Sequence, residues 1–187
     1  LRPARLQAPG HEPMVVDGHA HRGETGLRHE APLVGVARIL LKILREERPD
    51  AVVAVFDSRE PTPRHAIYPE YKANRLKAPE DLAAQIPVVD EMIDALGVSR
   101  LSVAGAEADD IIGTLARRGE ERGMDVVIVS SDKDLYQLVS SRVKVRDGLK
   151  EHTVGEAEVE EIFGVPPAKV PDLLALAGDP SDNVPGV

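Results

Sequence analysis

The chain has 187 residues, 42% of them hydrophobic, with 32 Asp and Glu against 23 Lys and Arg and no cysteine. That length supports one full core with room for a small second lobe, and the missing thiols exclude a disulfide framework and a thiolate zinc site. A net charge of −9 speaks against a nucleic-acid partner, yet nine acids fall in the motifs below and the other 23 are matched by 23 Lys and Arg, so the excess is local and bound cations would offset it.

Residues 1–13 (LRPARLQAPGHEP) are Pro-rich and basic, without the apolar stretch of a signal peptide, and read as a flexible tail. No run approaches membrane-spanning length. A soluble, monomeric protein of the cytoplasm is expected. Met14-Val15-Val16-Asp17 reads as a first strand, followed by a Gly- and His-rich stretch at 18–32 and a helix over 33–47 with Val36, Leu40, Ile43 and Leu44 on one face. A second strand, 51–56, runs into Asp57, and 58–79 has no clear periodicity. The pattern then predicts one helix over 79–96, kinked at Pro87 and stopped by Gly97. A short strand at 100–103 and a helix from Gly105 to Arg122 follow. A third apolar strand, 125–129, leads through two serines to Asp132. A short helix at 134–139, a hairpin of 143–146 with 150–154, and helical patterns at 159–163 and 170–177 complete the chain.

Short β-branched runs alternating with amphipathic helical segments predict an α/β fold with a mostly parallel central sheet flanked by helices. The core is expected over 14–154 and a small helical part over 155–187. Parallel sheets build their sites outside the carboxyl ends of the strands, so Asp17, Asp57 and Asp132 should meet. Carboxylates brought together repel unless cations hold them, which points to a divalent-metal site of oxygen ligands. Glu107, Asp109 and Asp110 add three acids at one helix start, where capping and the helix dipole explain one or two but not three. Capping is the competing reading of Asp132 in Asp132-Lys133-Asp134, and an ordinary turn is the competing reading of Asp179 and Asp182. Opposite charge gathers at 59–77: Arg59, Arg64, His65, Lys72, Arg75 and Lys77 interleave with Tyr68 and Tyr71. Such a segment suits phosphates and unstacked bases, or else is a solvated loop.

Six ordered motifs carry a family resemblance: Asp17-Gly18-His19, Val55-Phe56-Asp57, Tyr71-Lys72-Ala73-Asn74-Arg75, Gly105-Ala106-Glu107-Ala108-Asp109-Asp110, Ser131-Asp132-Lys133-Asp134-Leu135-Tyr136-Gln137-Leu138 and the run from Gly178-Asp179-Pro180-Ser181-Asp182 to Val187. Together they resemble the 5′ nuclease domain of bacterial DNA polymerase I, the bacterial branch of the flap endonucleases, with its PIN-like fold. The resemblance implies a 5′ to 3′ exonuclease and flap endonuclease. Its substrates would be DNA with 5′ flaps, nicks or free 5′ ends, and its cofactor two Mg²⁺ ions for which Mn²⁺ can substitute. In that family the matches to Asp17, Asp57, Glu107, Asp109 and Asp110 surround one metal position, and those to Asp132, Asp134, Asp179 and Asp182 serve a second. Lys72 and Arg75 match residues at the base of a helical arch that steer the scissile phosphate, with Arg64, Tyr71 and Lys77 as further DNA contacts. Between Asp17 and the helix at 33–47 the family has a longer segment with an arginine on a first helix; here the Gly-rich His21-Arg22-Gly23-Glu24-Thr25-Gly26 stands instead, and Arg22 is expected to replace that arginine as a DNA contact. The chain is expected to be a fragment that stops where the family's helix-hairpin-helix begins, at Val184-Pro185-Gly186-Val187, with a polymerase following in the full protein and cleavage weakened by both departures.

Two rival readings follow from the same residues. One is a domain of this fold that binds branched DNA and no longer cuts. The other rests on Val16-Asp17-Gly18-His19-Ala20-His21, which resembles the His-x-His of metal-dependent amidohydrolases. That fold needs an eight-stranded barrel with later strand-end histidines, and His29, His65 and His152 do not stand at such places.

Overall fold

The computed structural model describes residues 14–17, 32–75, 79–150 and 152–187. Six strands form one sheet: β1 (Met14–Asp17), β2 (Val52–Val55), β3 (Ser99–Leu101), β4 (Val126–Val129), β5 (Val143–Asp147) and β6 (His152–Val154). Their spatial order is β3-β2-β1-β4-β5-β6. The first five are parallel, and β6 turns back antiparallel on β5. An open sheet of this order excludes the barrel that the amidohydrolase reading requires.

Period-two alternation explains the layers. Along β4 all four residues are buried: Val126 and Ile128 face a cluster with Ile111, Ile112 and Ala116, while Val127 and Val129 face one with Leu40, Ile43 and Ile93. A strand buried on both faces must be apolar throughout, which is why 125–129 reads as a continuous run. Helices α1 (Pro32–Glu46) and α4 (Ile86–Ala95) cover the second face, and α5 (Ala108–Glu121) covers the first. The chain therefore changes face between β3 and β4 and reverses its direction of travel across the sheet beside β1. That reversal opens a crevice at the carboxyl ends of β1 and β4.

The segment predicted as one kinked helix over 79–96 is two: α3 (Glu80–Ala83) and α4. Proline lacks an N–H and its ring collides with the carbonyl four residues earlier. For Pro87 that residue is Ala83, where α3 ends. The predicted short helix after β4 is a 3₁₀ helix, Lys133–Leu138. Between β2 and α3 the sequence without periodicity holds, among the described residues, one five-residue helix, α2 (Pro63–Ile67), and turns. From 155 on, α6 (Glu156–Phe163) and α7 (Val170–Ala177) pack through Val159 and Val170 onto the same core as Ile112. Burying each such side chain contributes about 1.5–3 kcal/mol.

Candidate active site

The acids after the strands double as structural anchors. Asp57 follows β2, and its Oδ1 accepts the backbone N–H of Ala108 at 2.6 Å. One strand-end carboxylate thus holds the positive end of α5. Glu107, immediately before that helix, is 7% exposed, and Asp110 Oδ2 accepts its backbone N–H at 3.3 Å. After β4, Asp132 Oδ1 accepts the Asp134 N–H at 2.9 Å and caps the 3₁₀ helix. Capping is therefore present at Asp132, and it is what sets this acid beside Asp134.

Backbone crowding positions the last two acids. Gly178 has φ +74°, and a Cβ built there would lie 2.3 Å from the Gly186 nitrogen. A Cβ on Gly186 would in turn lie 2.5 Å from the Ala177 carbonyl oxygen. Only glycines allow the two backbones to cross so closely. The crossing closes a loop pinned by an antiparallel bridge between Asp179 and Val184. Within it, Asp179 Oδ1 accepts from the Ser181 N–H and hydroxyl at 2.8 and 2.6 Å, and Asp182 is turned toward the basic segment.

The predicted cations rest on these acids. Arg64 grips Asp110 through two bonds of 2.7 Å. Lys72 Nζ donates to Glu107 Oε2 at 2.9 Å, and Arg75 pairs with Asp182. The Tyr71 hydroxyl lies 2.9 Å from both Glu107 Oε2 and Asp182 Oδ2. Backbone contacts reinforce the join, with the Lys72 N–H on Asp182 O at 2.9 Å and Asn74 Nδ2 on Pro180 O at 2.9 Å. Lys72 sits at φ +58°, the left-handed region. For a residue with a Cβ that costs roughly 1–3 kcal/mol, and it is held by the bonds on either side. Among the described residues, α2 and the turn after it fold down onto the carboxylates. A nearly buried Glu107 beside further acids needs compensating charge, and 64–75 supplies it.

Electrostatics divides the acids into two groups. The Arg64 guanidinium holds the Asp110 carboxyl below the usual aspartate range. Asp134 is pushed the other way, up to about 6, first by burial and then by the charges of Asp132, Asp179 and Asp182. Burial, followed by the bonds to Asp182 and Glu107, raises the Tyr71 hydroxyl far above its ordinary value, so it stays a donor.

A cavity of about 370 Å³ gathers Arg64, Tyr71, Glu107, Asp109, Asp110, Asp134 and Asp182 on one wall system. Asp57 lines a neighbouring hollow of about 760 Å³ with Phe56, Arg59, Val89 and Leu101. Asp132 and Asp179 line neither but lie close enough to act on Asp134. Arg22, Lys77 and the Asp17 side chain lie outside the described residues. The backbone of Asp17 ends β1, opposite Val55 and between β2 and β4. Among the described residues no three acids or histidines stand close enough to hold one ion. The donor chemistry nevertheless fits a hard divalent cation: carboxylate oxygens only, with Asp134 pushed up by burial and by the acids beside it.

Two features escaped the sequence reading. Thr62, 7% exposed, donates to Glu107 Oε1 at 3.3 Å, and its N–H bonds His65 Nδ1, whose ring meets the edge of Tyr71. No local signal marks Thr62, because its partner lies 45 residues away. The cavity also continues along α5 past Gly113 and Thr114 to Arg117, a continuation that the i, i+3, i+4, i+7 spacing from Asp110 does encode.

A family model described as the 5'-3' exonuclease, N-terminal resolvase-like domain, matches residues 17–164. The thermostable DNA polymerase I of Thermus thermophilus is 43% identical over 184 residues, 93% of this chain and 22% of that relative. A 5'-3' exonuclease of Aquifex aeolicus (strain VF5) is 44% identical over 155 residues, 83% of this chain and 54% of that protein. The chain thus spans about a fifth of the one relative and about half of the other. Among solved structures, the T5 D15 protein co-crystallised with metal ions superposes with a TM-score of 0.75 at 20% identity, covering 94% of this chain and 69% of that one. At that identity the likeness is one of fold. The family match runs from the strand-end Asp17 through Asp57, the α5 acids and Asp134, and the chain therefore belongs to the 5'-3' exonuclease family, as its N-terminal resolvase-like domain.

Proposed function

We propose that the chain is a divalent-metal-dependent nuclease that hydrolyses DNA phosphodiester bonds at 5′ flaps, nicks and free 5′ ends, working 5′ to 3′. It would be the amino-terminal part of a cytoplasmic DNA polymerase I acting in replication and repair. One observation carries the reading. Acids from the start of α5, the turn after β4 and the C-terminal loop line one cavity with Arg64 and Tyr71 from the basic segment. Relatives named DNA polymerase I and 5'-3' exonuclease support the substrate, and a T5 D15 flap endonuclease of similar fold was solved with DNA and metal ions.

Two Mg²⁺ ions, with Mn²⁺ as substitute, are the proposed cofactors. Glu107, Asp109 and Asp110 with Asp17 and Asp57 would hold one, and Asp132, Asp134, Asp179 and Asp182 the other. Bound there, such ions supply an activated water and charge neutralisation on the phosphate. The protein's own part is charge exchange. Lys72 and Arg75, now on Glu107 and Asp182, are the cations that would turn to the scissile phosphate, where positive charge favours the transition state, if metal took their place on those acids. Tyr71, a donor at every working pH, keeps Glu107 and Asp182 within one hydroxyl of each other.

Cleavage of a labelled 5′-flap DNA in Mg²⁺ or Mn²⁺ tests this. Asp132→Asn should retain the cap on Asp134 yet lose cleavage by 10²-fold or more, with flap binding retained; that magnitude is on the order expected for losing one charge-stabilising group at a reacting centre. A wild-type chain that binds the flap in Mg²⁺ and leaves it intact favours the non-cleaving DNA-binding domain instead.

A further inference from the structure

Three basic side chains beside the acids are paired with them: Arg64 with Asp110, Lys72 with Glu107, Arg75 with Asp182. Arg117 lines the same cavity but has no hydrogen bond or ion pair with any described residue. It lies on α5 seven residues beyond Asp110, on the same face, which places it about 10 Å along the helix axis. Between them the floor is low. Gly113 presents no side chain, and Thr114 turns its hydroxyl back to Asp110 O at 2.7 Å. Packing does not demand the glycine, because a Cβ there would meet Leu138 at an ordinary 3.5 Å. The opposite wall is the 3₁₀ helix, where Leu138 offers an apolar surface and Gln137 Nε2 is tied to Asp134 O at 2.8 Å. The result is a groove acidic at one end and basic at the other, open to a chain of anions that starts at the acids.

We propose that this groove seats the DNA strand leading away from the bond to be cut, with Arg117 binding one of its backbone phosphates. This rests on the nuclease reading above and adds to it the path of the strand. Arg117 acts by binding and takes no part in the chemical step.

The 187-residue chain, a fluorescent 5′-flap DNA and a salt series in Ca²⁺ test the assignment by anisotropy. Arg117→Ala should bind roughly five- to tenfold more weakly and flatten the slope of log affinity against log salt by about 1, the signature of one lost phosphate contact. Arg117→Lys should restore most of both. Arg118→Ala, exposed on the same helix but outside the groove, should match wild type. In Mg²⁺ the Arg117→Ala defect should fall on KM and leave kcat near wild type. Unchanged affinity and slope in Arg117→Ala, with a wild type that binds and cuts, overturns the groove and leaves the nuclease reading standing. A wild type that neither binds nor cuts the flap overturns both.

Discussion

At Asp134, burial and neighbouring like charge both act against the ionised carboxyl. Its folded-state pKa of about 6 lies above the ordinary 3.8, so the folded protein holds this proton more tightly than the unfolded chain does. The stabilisation that gives is fully present below about pH 3.8 and is lost as the pH rises through 6. Asp134→Asn should therefore raise Tm in chelator at pH 8 and leave it nearly unchanged at pH 4, while reducing the gain in Tm that Mg²⁺ brings. A thermal melt at the two pH values, with and without the ion, checks all three. The sequence shows Asp134 beside Asp132, but not its burial or the two further charges, because Asp179 and Asp182 arrive from the far end of the chain. Tyr71 shows the same limit: a basic, aromatic segment suggests DNA contact, whereas the folded hydroxyl joins two carboxylates. Tyr71→Phe should cost about 1.5–3 kcal/mol in urea unfolding, the range for bonds to charged groups.

Among elements, the ones with strong periodicity are legible and the ones without it are not. β4 reads from its unbroken apolar run, α5 from its acids and its Gly123 stop, and α1 from its apolar stripe. The long helix expected over 79–96 fails at the one residue whose chemistry decides, since Pro87 forbids a bond to Ala83 and splits α3 from α4. The loop after α7 is set by backbone approach rather than by any pattern of side chains. Gly178→Ala should destabilise by roughly 2–4 kcal/mol, combining the positive φ with the collision at Gly186. Because the same loop presents Asp179 and Asp182, the variant should also bind Mg²⁺ more weakly. Urea midpoints and a calorimetric titration measure the two effects separately.

In the whole molecule, the proposed ions would tie the carboxyl ends of the paired strands β1, β2 and β4 to the start of α5 and the loop after α7. Binding to the folded state alone stabilises it, by about 2.7 kcal/mol at a hundredfold excess over Kd. For a domain of this size that is roughly 5–10 °C in Tm. Mg²⁺ should produce such a rise and chelator should reverse it; a melt that ignores both would mean the acids hold no metal in common. The sequence by itself determined the strand and helix alternation and the placing of acids at strand ends, because periodicity and caps act over a few residues. What only the tertiary structure decided is how the charges are matched, with Arg64, Lys72 and Arg75 folded onto the acids and Arg117 left facing the groove. The Arg75–Asp182 pairing spans 107 residues, and all the pairings depend on side-chain directions in a segment that carries no repeat from which direction could be read.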